Sequence, residues 1–303
     1  MGAVTTLLAA RNLQKVYGDV IALAGIDFEV SEGVTGLLGA NGAGKSTAIK
    51  LFLGLIKPTS GTAEVLGVDA ASTVEIRARL GYMPEHDCLP GNVSAAEFLT
   101  HMAELSGLPP NYARSRAADT LRHVGLFEER YRAMGGYSTG MKQRVKLAQT
   151  LVHDPVLVLL DEPTAGLDPG GREEMLTLIK RTGDEFGISL MLSSHLMGDI
   201  ERTCETIIVL DAGRVVEVGP VTSFTEETEA IAVEVDENRE ELITALKERG
   251  VEPLIDGSSI VIEGVIGDQY DLIRDALVAA NAPLRRMAPR RHELTEIFER
   301  NGE

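Results

Sequence analysis

Residues 39–47, Gly-Ala-Asn-Gly-Ala-Gly-Lys-Ser-Thr, decide the fold of this chain because they fit the pattern glycine, four residues, glycine, lysine, then serine or threonine. The glycines permit backbone conformations that a Cβ forbids, so that several N–H groups can form a nest for phosphate oxygens. Lys45 can reach the β- and γ-phosphates, and the Ser46 hydroxyl is placed to ligate Mg²⁺. We expect polyphosphate contacts from Gly39, Asn41, Gly42, Gly44, Lys45, Ser46 and Thr47.

The segments on either side of this loop support that interpretation. Residues 34–38, Val-Thr-Gly-Leu-Leu, are mostly apolar, as in a strand buried on both faces, and residues 48–53, Ala-Ile-Lys-Leu-Phe-Leu, favour a helix. A helix that begins near Lys45 turns the positive end of its dipole toward a phosphate. The alternative is an ordinary tight turn between a strand and a helix.

A second polar cluster follows the apolar run 156–160, Val-Leu-Val-Leu-Leu, which leads into Asp161 and Glu162. A buried parallel strand delivers such residues to the sheet edge where α/β proteins bind ligands. Asp161 is expected to hold the Mg²⁺ shell, and Glu162 to orient or deprotonate an attacking water. Another apolar run, 188–194, ends at His195 and is expected to reach the same edge, although a lone histidine is more often structural.

The regions around these strands show different patterns. Residues 7–38 are predicted to form an antiparallel β region that leads into the glycine-rich loop, since Ile26, Phe28 and Val30 alternate with acidic residues. Residues 94–97, Ser-Ala-Ala-Glu, have capping-box spacing and open a run of helical apolar spacing to about residue 153. We therefore expect a helical insert, at about 87–153, between strands of the sheet.

Composition limits the classes of function. The chain has 303 residues, of which 44% are hydrophobic, enough for one large and one small globular domain. A net charge of −17 argues against nucleic-acid binding, because phosphate contacts need a basic surface. Cys88 and Cys204 have no metal-binding spacing and suggest a reducing compartment. No apolar run is long enough for a membrane span, so a cytoplasmic location is expected.

Several motifs together resemble the ATP-binding subunit of an ABC transporter. The resemblance covers roughly residues 5 to 225 and rests on motifs in the order that the family has them. Besides the glycine-rich loop (Walker A) and the strand ending at Asp161-Glu162 (Walker B), these are Tyr17 as the adenine-stacking aromatic, residues 137–141 as the signature, residues 165–168 as the D-loop and His195 as the switch histidine.

The chain departs from the family pattern at three positions. In the signature, Tyr-Ser-Thr-Gly-Met, Thr139 replaces the usual first glycine and Met141 replaces the usual glutamine. Glu85 stands where the family usually has the Q-loop glutamine, which contacts the nucleotide site. The residues that follow the signature, Lys142-Gln143-Arg144, resemble those of many export-type subunits.

The resemblance implies a mechanism that needs two copies of the domain. Two such domains pair head to tail, as a homodimer or with a second ATPase subunit, and each Mg-ATP lies between the Walker A loop of one and the signature of the other. Ser138 and Gly140 would then contact the γ-phosphate across the interface, Asp168 would contact the opposing subunit, and His195 would contact the γ-phosphate within its own chain. Glu162, His195 and Lys45 are the implied catalytic residues.

The resemblance also implies a fold and a location. The expected fold is α/β, a P-loop NTPase (RecA-like) core with an antiparallel β subdomain and a helical insert, in an ATP-binding domain of residues 1–225. A separate permease subunit would hold this protein on the inner face of the cell membrane. The loop from Glu85 to Asn92 is the expected docking surface for that subunit, because the corresponding region meets it in the family that this chain resembles.

Beyond residue 225 the resemblance weakens. Residues 231–235 and 259–262 alternate as strands do, and residues 239–249 and 270–280 have helical spacing, so 226–303 is expected to be a small α+β domain of ferredoxin-like type. Similar extensions occur in drug- and antibiotic-export ATPases.

Three functions are compatible with these observations. An exporter ATPase is the leading one, and an importer ATPase is an alternative within the same class. A soluble ABC ATPase of translation or DNA repair would usually carry tandem domains or a long coiled-coil insertion. A regulatory nucleotide-binding module would not need Glu162 and His195.

Overall fold

A computed structural model describes residues 6–225, 227–256, 259–263 and 269–291. The chain divides into two units, Met1–Val221 and Thr222–Glu303. Residue 226, the first residue of the expected C-terminal domain, lies outside the described residues.

The first unit alternates strands and helices along the chain. Its strands are β1 (Leu8–Tyr17), β2 (Val20–Val30), β3 (Val34–Leu38), β4 (Ser60–Val65), β5 (Val68–Asp69), β6 (Leu80–Met83), β7 (Leu157–Asp161), β8 (Ser189–Ser194), β9 (Thr206–Asp211) and β10 (Arg214–Pro220). Its α-helices are α1 (Lys45–Phe52), α2 (Ala95–Leu105), α3 (Pro110–His123), α4 (Thr139–Leu151), α5 (Pro169–Phe186) and α6 (Met197–Thr203).

The central sheet has six strands in the order β10-β9-β3-β8-β7-β6. Neighbouring strands are parallel except for the β9–β10 pair. Every residue of β3, β7 and β8 is buried, which explains why these strands have nearly continuous apolar sequences. The predicted α/β fold is confirmed.

A second, antiparallel sheet has the order β2-β1-β4-β5. Alternate residues of β2, among them Ile26, Phe28 and Val30, are buried, in agreement with the period of two in the sequence. Phe28 packs against Phe52 of α1 with ring centroids 5.7 Å apart. One hydrophobic core therefore joins this sheet to the helix that follows the glycine-rich loop.

Helices α2, α3 and α4 lie between β6 and β7 in the chain. The Ser94 hydroxyl accepts a hydrogen bond from the Glu97 backbone N–H, and the Glu97 carboxylate accepts one from the Ser94 backbone N–H, so the capping box forms at the start of α2. Helix α3 begins with Pro110, where its missing N–H costs no hydrogen bond.

The second unit contains a four-stranded sheet and two longer helices. After the short helix α7 (Thr222–Thr225), its elements are β11 (Glu227–Val235), α8 (Arg239–Glu248), β12 (Leu254–Asp256), β13 (Ser259–Glu263), α9 (Gln269–Ala279) and β14 (Leu284–Arg291). The strand order β12-β13-β11-β14, with all neighbours antiparallel, is that of a ferredoxin-like βαββαβ fold. Its core is aliphatic and includes Ile231, Val233, Leu246, Ile260 and Ile273.

Two strands of this unit are absent from the sequence prediction. Strand β12 has only three residues, and β14, Leu-Arg-Arg-Met-Ala-Pro-Arg-Arg, has no apolar alternation. Both are edge strands, where charged residues and proline are tolerated because one side of the strand needs no ladder hydrogen bonds.

Within the described ranges, no helix combines the length and apolar character that a membrane span requires.

Candidate active site

Three neighbouring strands end at the same edge of the central sheet. Strand β8 lies between β3 and β7, so the segments that follow these three strands meet. Leu38 is paired in register with Ser194, and Asp161 with Ser193. This edge, at the carboxyl ends of parallel strands, is where α/β sheets bind ligands. It brings together residues separated by more than a hundred positions in the sequence.

Two glycines of the loop after β3 are required by close backbone approaches. A Cβ on Gly39 would lie 2.4 Å from the carbonyl oxygen of Leu210. Gly44 has φ of 106°, and a Cβ there would lie 2.6 Å from the carbonyl oxygen of Ala22. Larger residues would therefore displace the loop, whose backbone N–H groups are the expected phosphate contacts.

Lys45, the first residue of α1, is buried and held on three sides. Its Nζ donates to the carbonyl oxygens of Gly39, at 2.7 Å, and Ala40, at 3.2 Å. It also lies 3.2 Å from Oε1 of Glu162, and both side chains are less than a tenth exposed. The Lys45 ammonium is therefore fixed inside the loop, where it faces the carboxylate of Glu162, the residue that follows β7.

Ser46 and Asp161 lie side by side at the sheet edge. The Ser46 hydroxyl donates to Oδ1 of Asp161 at 3.0 Å, and the Ser193 hydroxyl donates to the same oxygen at 2.8 Å. A hydroxyl next to a buried carboxylate is a hard oxygen donor set. Mg²⁺ is commonly bound by one or two such protein oxygens, together with water and substrate phosphates. Ser46 and Asp161 therefore fit the expected ion.

Glu162 is the most constrained residue of the site. Its φ of 47° lies in the left-handed region that non-glycine residues rarely adopt, and its backbone N–H donates to Oγ of Ser193 at 2.9 Å. Oε2 lies 2.9 Å from Nδ1 of His195, while Oε1 faces Lys45. Strain of this kind is typical of functional positions, and here it aims one carboxylate at two cationic or donor groups.

Two further buried residues hold this arrangement, and neither was singled out from the sequence. Ser193 joins the Asp161 side chain to the Glu162 backbone. Asp199 of α6 accepts hydrogen bonds from Thr164, at 2.7 Å, and from Ser194, at 3.2 Å. The available signal was the pair of serines at the end of the otherwise apolar run 188–194, because hydroxyls buried in a strand need partners.

The signature residues lie at the start of α4. Ser138 is the N-cap of this helix, and its hydroxyl accepts from the Met141 backbone N–H at 3.3 Å. Ser138 is exposed, and Gly140 is half-buried beside Leu167. Because the Ser138 hydroxyl only accepts in this contact, its own proton can be donated to an anion that approaches the helix N-terminus from outside.

Helix α4 also contacts the segment that follows Glu162. The Gln143 amide donates to the carbonyl oxygen of Ala165 at 3.0 Å. Asp168 caps α5 by accepting from the Gly171 backbone N–H at 3.0 Å. Within residues 6–225, all of which are described, no hydrogen bond or ion pair links Ser138, Gly140 or Asp168 to residues 39–47.

The remaining predicted contacts lie around the loop. Tyr17 is half exposed on the β1–β2 hairpin, with Nζ of Lys15 4.9 Å from its ring centroid. Asn41 and Gly42 are exposed and Thr47 is half-buried.

Glu85 is exposed just after β6, and its carbonyl oxygen accepts a hydrogen bond from Nζ of Lys146 at 2.9 Å. Nearby Tyr82 has its pKa raised to about 12 by burial, with the negative charge of Asp161 adding to the effect.

The predicted residues thus form two groups, of which one is connected by direct contacts at the sheet edge. Direct contacts link Gly39, Lys45, Ser46, Asp161, Glu162 and His195. Within residues 6–225, the signature residues and Asp168 make no hydrogen bond or ion pair to this group. The first group combines a phosphate nest, a fixed cation and a carboxylate placed to accept a proton, which are the parts needed for phosphoryl transfer to water.

Comparisons with known proteins agree with this geometry. A sequence profile of the family described as ABC transporter matches residues 23–165. The linearmycin resistance ATP-binding protein LnrL of Bacillus subtilis is 36% identical over 220 residues, which cover 72% of this chain and 70% of LnrL. The bacitracin transport ATP-binding protein BcrA of Bacillus licheniformis is 37% identical over 218 residues, which cover 71% of this chain and 70% of BcrA.

Solved structures give the same fold. The protein cbiO1 of Clostridium perfringens, part of the ABC transporter complex cbiONQ, matches with a TM-score of 0.66 and 29% identity, over 72% of this chain and 90% of that chain. The dimeric post-hydrolysis state of an ATP-binding cassette bound to ADP and Pi matches with a TM-score of 0.65 and 24% identity, over 71% of this chain and 99% of that chain.

Proposed function

This chain belongs to the family of ABC transporter ATP-binding proteins, and on that basis we propose that it powers an exporter whose membrane-spanning part is a separate permease polypeptide. Members of the family bind and hydrolyse ATP, and this chain is such an ATPase. The observation that supports ATP hydrolysis as the power source is the contact cluster of Lys45, Ser46, Asp161, Glu162 and His195.

The direction of transport is inferred from the relatives. LnrL is named for resistance to linearmycin and BcrA for transport of bacitracin. Resistance that depends on an ATPase is readily explained by removal of the antibiotic from the cell. We therefore propose export of an antibiotic or a related compound. The permease would hold this chain at the inner face of the membrane, while residues 1–225 would form the ATP-binding domain and residues 226–303 an accessory domain.

ATP binding would release the catalytic carboxylate. In the structure, Oε1 of Glu162 neutralises the Lys45 ammonium at 3.2 Å. Phosphate oxygens carry more charge and enter the loop directly at Lys45, so they compete with Glu162 for this cation. Once displaced, Oε1 becomes available to a water molecule, while Oε2 remains positioned by His195.

Hydrolysis then follows from the freed carboxylate. The water oxygen attacks the γ-phosphorus, the bond from that phosphorus to the bridging oxygen breaks, and ADP leaves with the electron pair. Glu162 orients the water and accepts the proton that it loses. Lys45 and the loop N–H groups stabilise the negative charge on the transferred group. Ser46 and Asp161 are the residues that would hold Mg²⁺, which supplies further positive charge to the phosphates when bound.

A complete site requires a second copy of the domain. Ser138 and Gly140 are exposed or half-buried on a surface without hydrogen bonds to residues 39–47 of their own chain. We propose that they contact the γ-phosphate bound to a second ATPase domain, in a head-to-tail homodimer or a pair with a different subunit. Asp168 would contact that subunit. Within one chain, Tyr17 would stack on adenine, and Glu85 would approach the nucleotide from the β6 end.

The test is transport by the complex. The chain would be co-expressed with a candidate permease, and inside-out vesicles would be supplied with ATP and labelled bacitracin or linearmycin. Export predicts ATP-dependent accumulation inside these vesicles, with none for Glu162→Gln. Vesicles that contain the permease alone are the second control.

Two results would contradict the proposal. Accumulation in right-side-out vesicles loaded with ATP, and none in inside-out vesicles, would identify an importer. Tight binding of the chain alone to protein-free liposomes would contradict a membrane location that depends on the permease.

A further inference from the structure

We propose that Lys142 and Lys146 are positioning residues that fasten the loop after β6 to the signature helix α4, so that this loop moves with the helix. The proposal concerns the β6–α2 loop, defined here as residues 84–94. It rests on the proposed function only where the position of this loop is linked to ATP hydrolysis.

Two lysines one turn apart on α4 face the first half of this loop. Nζ of Lys146 donates to the carbonyl oxygen of Glu85 at 2.9 Å. Nζ of Lys142 forms an ion pair with Asp87, with 2.8 Å between Nζ and Oδ2. Since residues four apart lie on one face of a helix, both contacts come from the same side of α4. They hold the loop at two points separated by one residue.

The second half of the loop is attached to the segment just before the signature. The Gly135 backbone N–H donates to the Gly91 carbonyl oxygen at 2.8 Å, and the Met134 N–H donates to the Val93 carbonyl oxygen at 3.0 Å. These backbone contacts do not depend on particular side chains. Both halves of the loop are thus connected to residues 134–146, the stretch that carries Ser138 and Gly140. Only the first half depends on the lysines.

Burial of the Lys146 ammonium costs free energy of hydration, which suggests a specific role for this residue. Only 2% of its surface is exposed, and a buried ammonium loses most of its hydration. Burial lowers the pKa of Lys146, while the negative charges of the nearby carboxylates Asp87, Glu85 and Asp161 act in the opposite direction. A buried ammonium that is hydrogen-bonded to a carbonyl but not ion-paired costs the fold its hydration free energy, so an apolar side chain of similar length need not be less stable at this position. Fold stability therefore does not account for the lysine, whereas attachment of Glu85 does.

Lys142 provides an independent contact of a different kind. Its side chain is one-third exposed, and its hydrogen bond lowers the pKa of Asp87. An exposed ion pair of this kind contributes little to stability, so its removal should leave the fold intact. The two lysines can therefore be tested separately, one with a buried and one with an exposed contact.

The loop contains its own probe. Cys88 is exposed and lies next to Asp87, whereas Cys204 is buried and burial raises its pKa, which makes it unreactive at neutral pH. These are the two cysteines of the chain. A nitroxide label should therefore attach at Cys88, and its electron paramagnetic resonance spectrum should report motion of the first half of the loop without an engineered cysteine.

The experiment compares labelled full-length protein with Lys146→Met, Lys142→Met and the double variant. The wild type should give a restricted spectrum. Each single variant should add a mobile component, and the double variant should show the largest one. Lys142→Arg should restore the restricted spectrum, because arginine keeps the ion pair with Asp87. Lys180→Met, on the exposed face of α5, is the matched control and should change nothing.

Activity and stability should separate in the same proteins. For Lys146→Met we expect the turnover number for ATP to fall about tenfold from misplacement of Glu85, while the midpoint of thermal unfolding stays the same or rises because a desolvated ammonium is removed. A merely structural lysine would lower both together, which would overturn the proposal. An unchanged spectrum in the double variant would overturn it as well, since the loop would then be held by its backbone contacts alone.

The outcome is distinguishable from failure of the proposed function. If the wild type hydrolyses ATP and the label is insensitive to both lysines, only the positioning role falls. If the label responds to the lysines and the wild type has no ATPase activity, the contacts stand and the proposed function falls.

Discussion

The Walker cluster, defined here as Lys45, Ser46, Asp161, Glu162 and His195 at the sheet edge, differs from the signature end of α4 in how many contacts its side chains make within the chain. In the first, every functional side chain has a partner within the chain, as in the contacts of Lys45 with Glu162 and of Ser46 with Asp161. In the second, Ser138 is exposed and its hydroxyl contacts only its own helix. Under the proposed function, the first region would hold the phosphates within one chain, whereas the second would act only when a second nucleotide-loaded domain approaches.

The largest expected effect comes from Lys45→Ala. This change removes the fixed cation of the loop and leaves Oε1 of Glu162 buried without its ion-pair partner. We expect hydrolysis to fall to background, because the other residues of the loop carry no positive charge for the β- and γ-phosphates. Steady-state phosphate release measures this. Release at the wild-type rate would refute the assignment of the site.

Glu162→Gln tests the catalytic carboxylate and should have the next largest effect. Glutamine keeps the shape of the side chain but accepts no proton, so turnover should fall by about 10²–10⁴-fold. ATP affinity should survive, since Lys45 and Ser46 are unchanged. The ATP-bound pair should then persist, and size-exclusion chromatography should show a dimer in ATP and a monomer in ADP.

The control for this variant is ionic strength. The net charge of −17 opposes pairing of two copies, so the chromatography is repeated at raised salt, where that repulsion is screened. Hydrolysis by Glu162→Gln near the wild-type rate would remove Glu162 as the base. Glu85 would then be the next carboxylate to test.

Ser138→Ala should have a smaller effect that appears only in the pair. The hydroxyl is expected to donate to a charged phosphate, a hydrogen bond worth about 1.5–3 kcal/mol, so turnover should fall by about 10–100-fold. Loss of the N-cap costs α4 about 1 kcal/mol, which a thermal unfolding control would register separately. ATP binding to the isolated chain should not change.

Mixing two defective chains sharpens this prediction. Glu162→Gln and Ser138→Ala subunits, each inactive in one half of the site, should form mixed dimers in which one of the two sites combines an intact Walker cluster with an intact signature. Recovery of part of the wild-type turnover on mixing would support a shared site. No recovery, with mixed dimers demonstrated by differential tagging, would place both residues in one chain's own site.

The sequence was most informative where polar residues interrupt apolar strands. The glycine-rich loop, Asp161, Glu162 and His195 all follow buried runs, so chemistry and periodicity agree on their place at one sheet edge. The contact of Ser193 with Asp161 depends on register between β7 and β8, which no local pattern specifies. The burial of Lys146 depends on how α4 packs beside the β6–α2 loop, and helical spacing alone does not show it.

The second unit illustrates the opposite limit. Strands β11 and β13 were recognisable because alternate residues such as Ile231 and Ile260 enter an aliphatic core. Strand β14 is rich in arginine and contains Pro289, so its sequence indicates a loop. Its pairing with β11 is a property of the whole sheet, since an edge strand needs only one partner.

The smallest expected effect is that of removing residues 226–303. The core that supports the nucleotide site is drawn from residues 7–215, and the core of the second unit is drawn from residues 231–287, so each has its own apolar interior. Every residue assigned to ATP lies in the first set. We therefore expect the truncated chain to bind ATP with an affinity within about twofold of the full chain, a difference well below 1 kcal/mol. Equilibrium binding of a fluorescent ATP analogue measures this, with thermal unfolding to verify that the truncated chain is folded.

Dimer formation is the sharper readout for this truncation. If truncated Glu162→Gln still forms the ATP-dependent dimer, the signature surface needs only a second Walker cluster. A folded truncation that binds ATP and no longer pairs would instead make the C-terminal unit part of what completes the exposed half of the site.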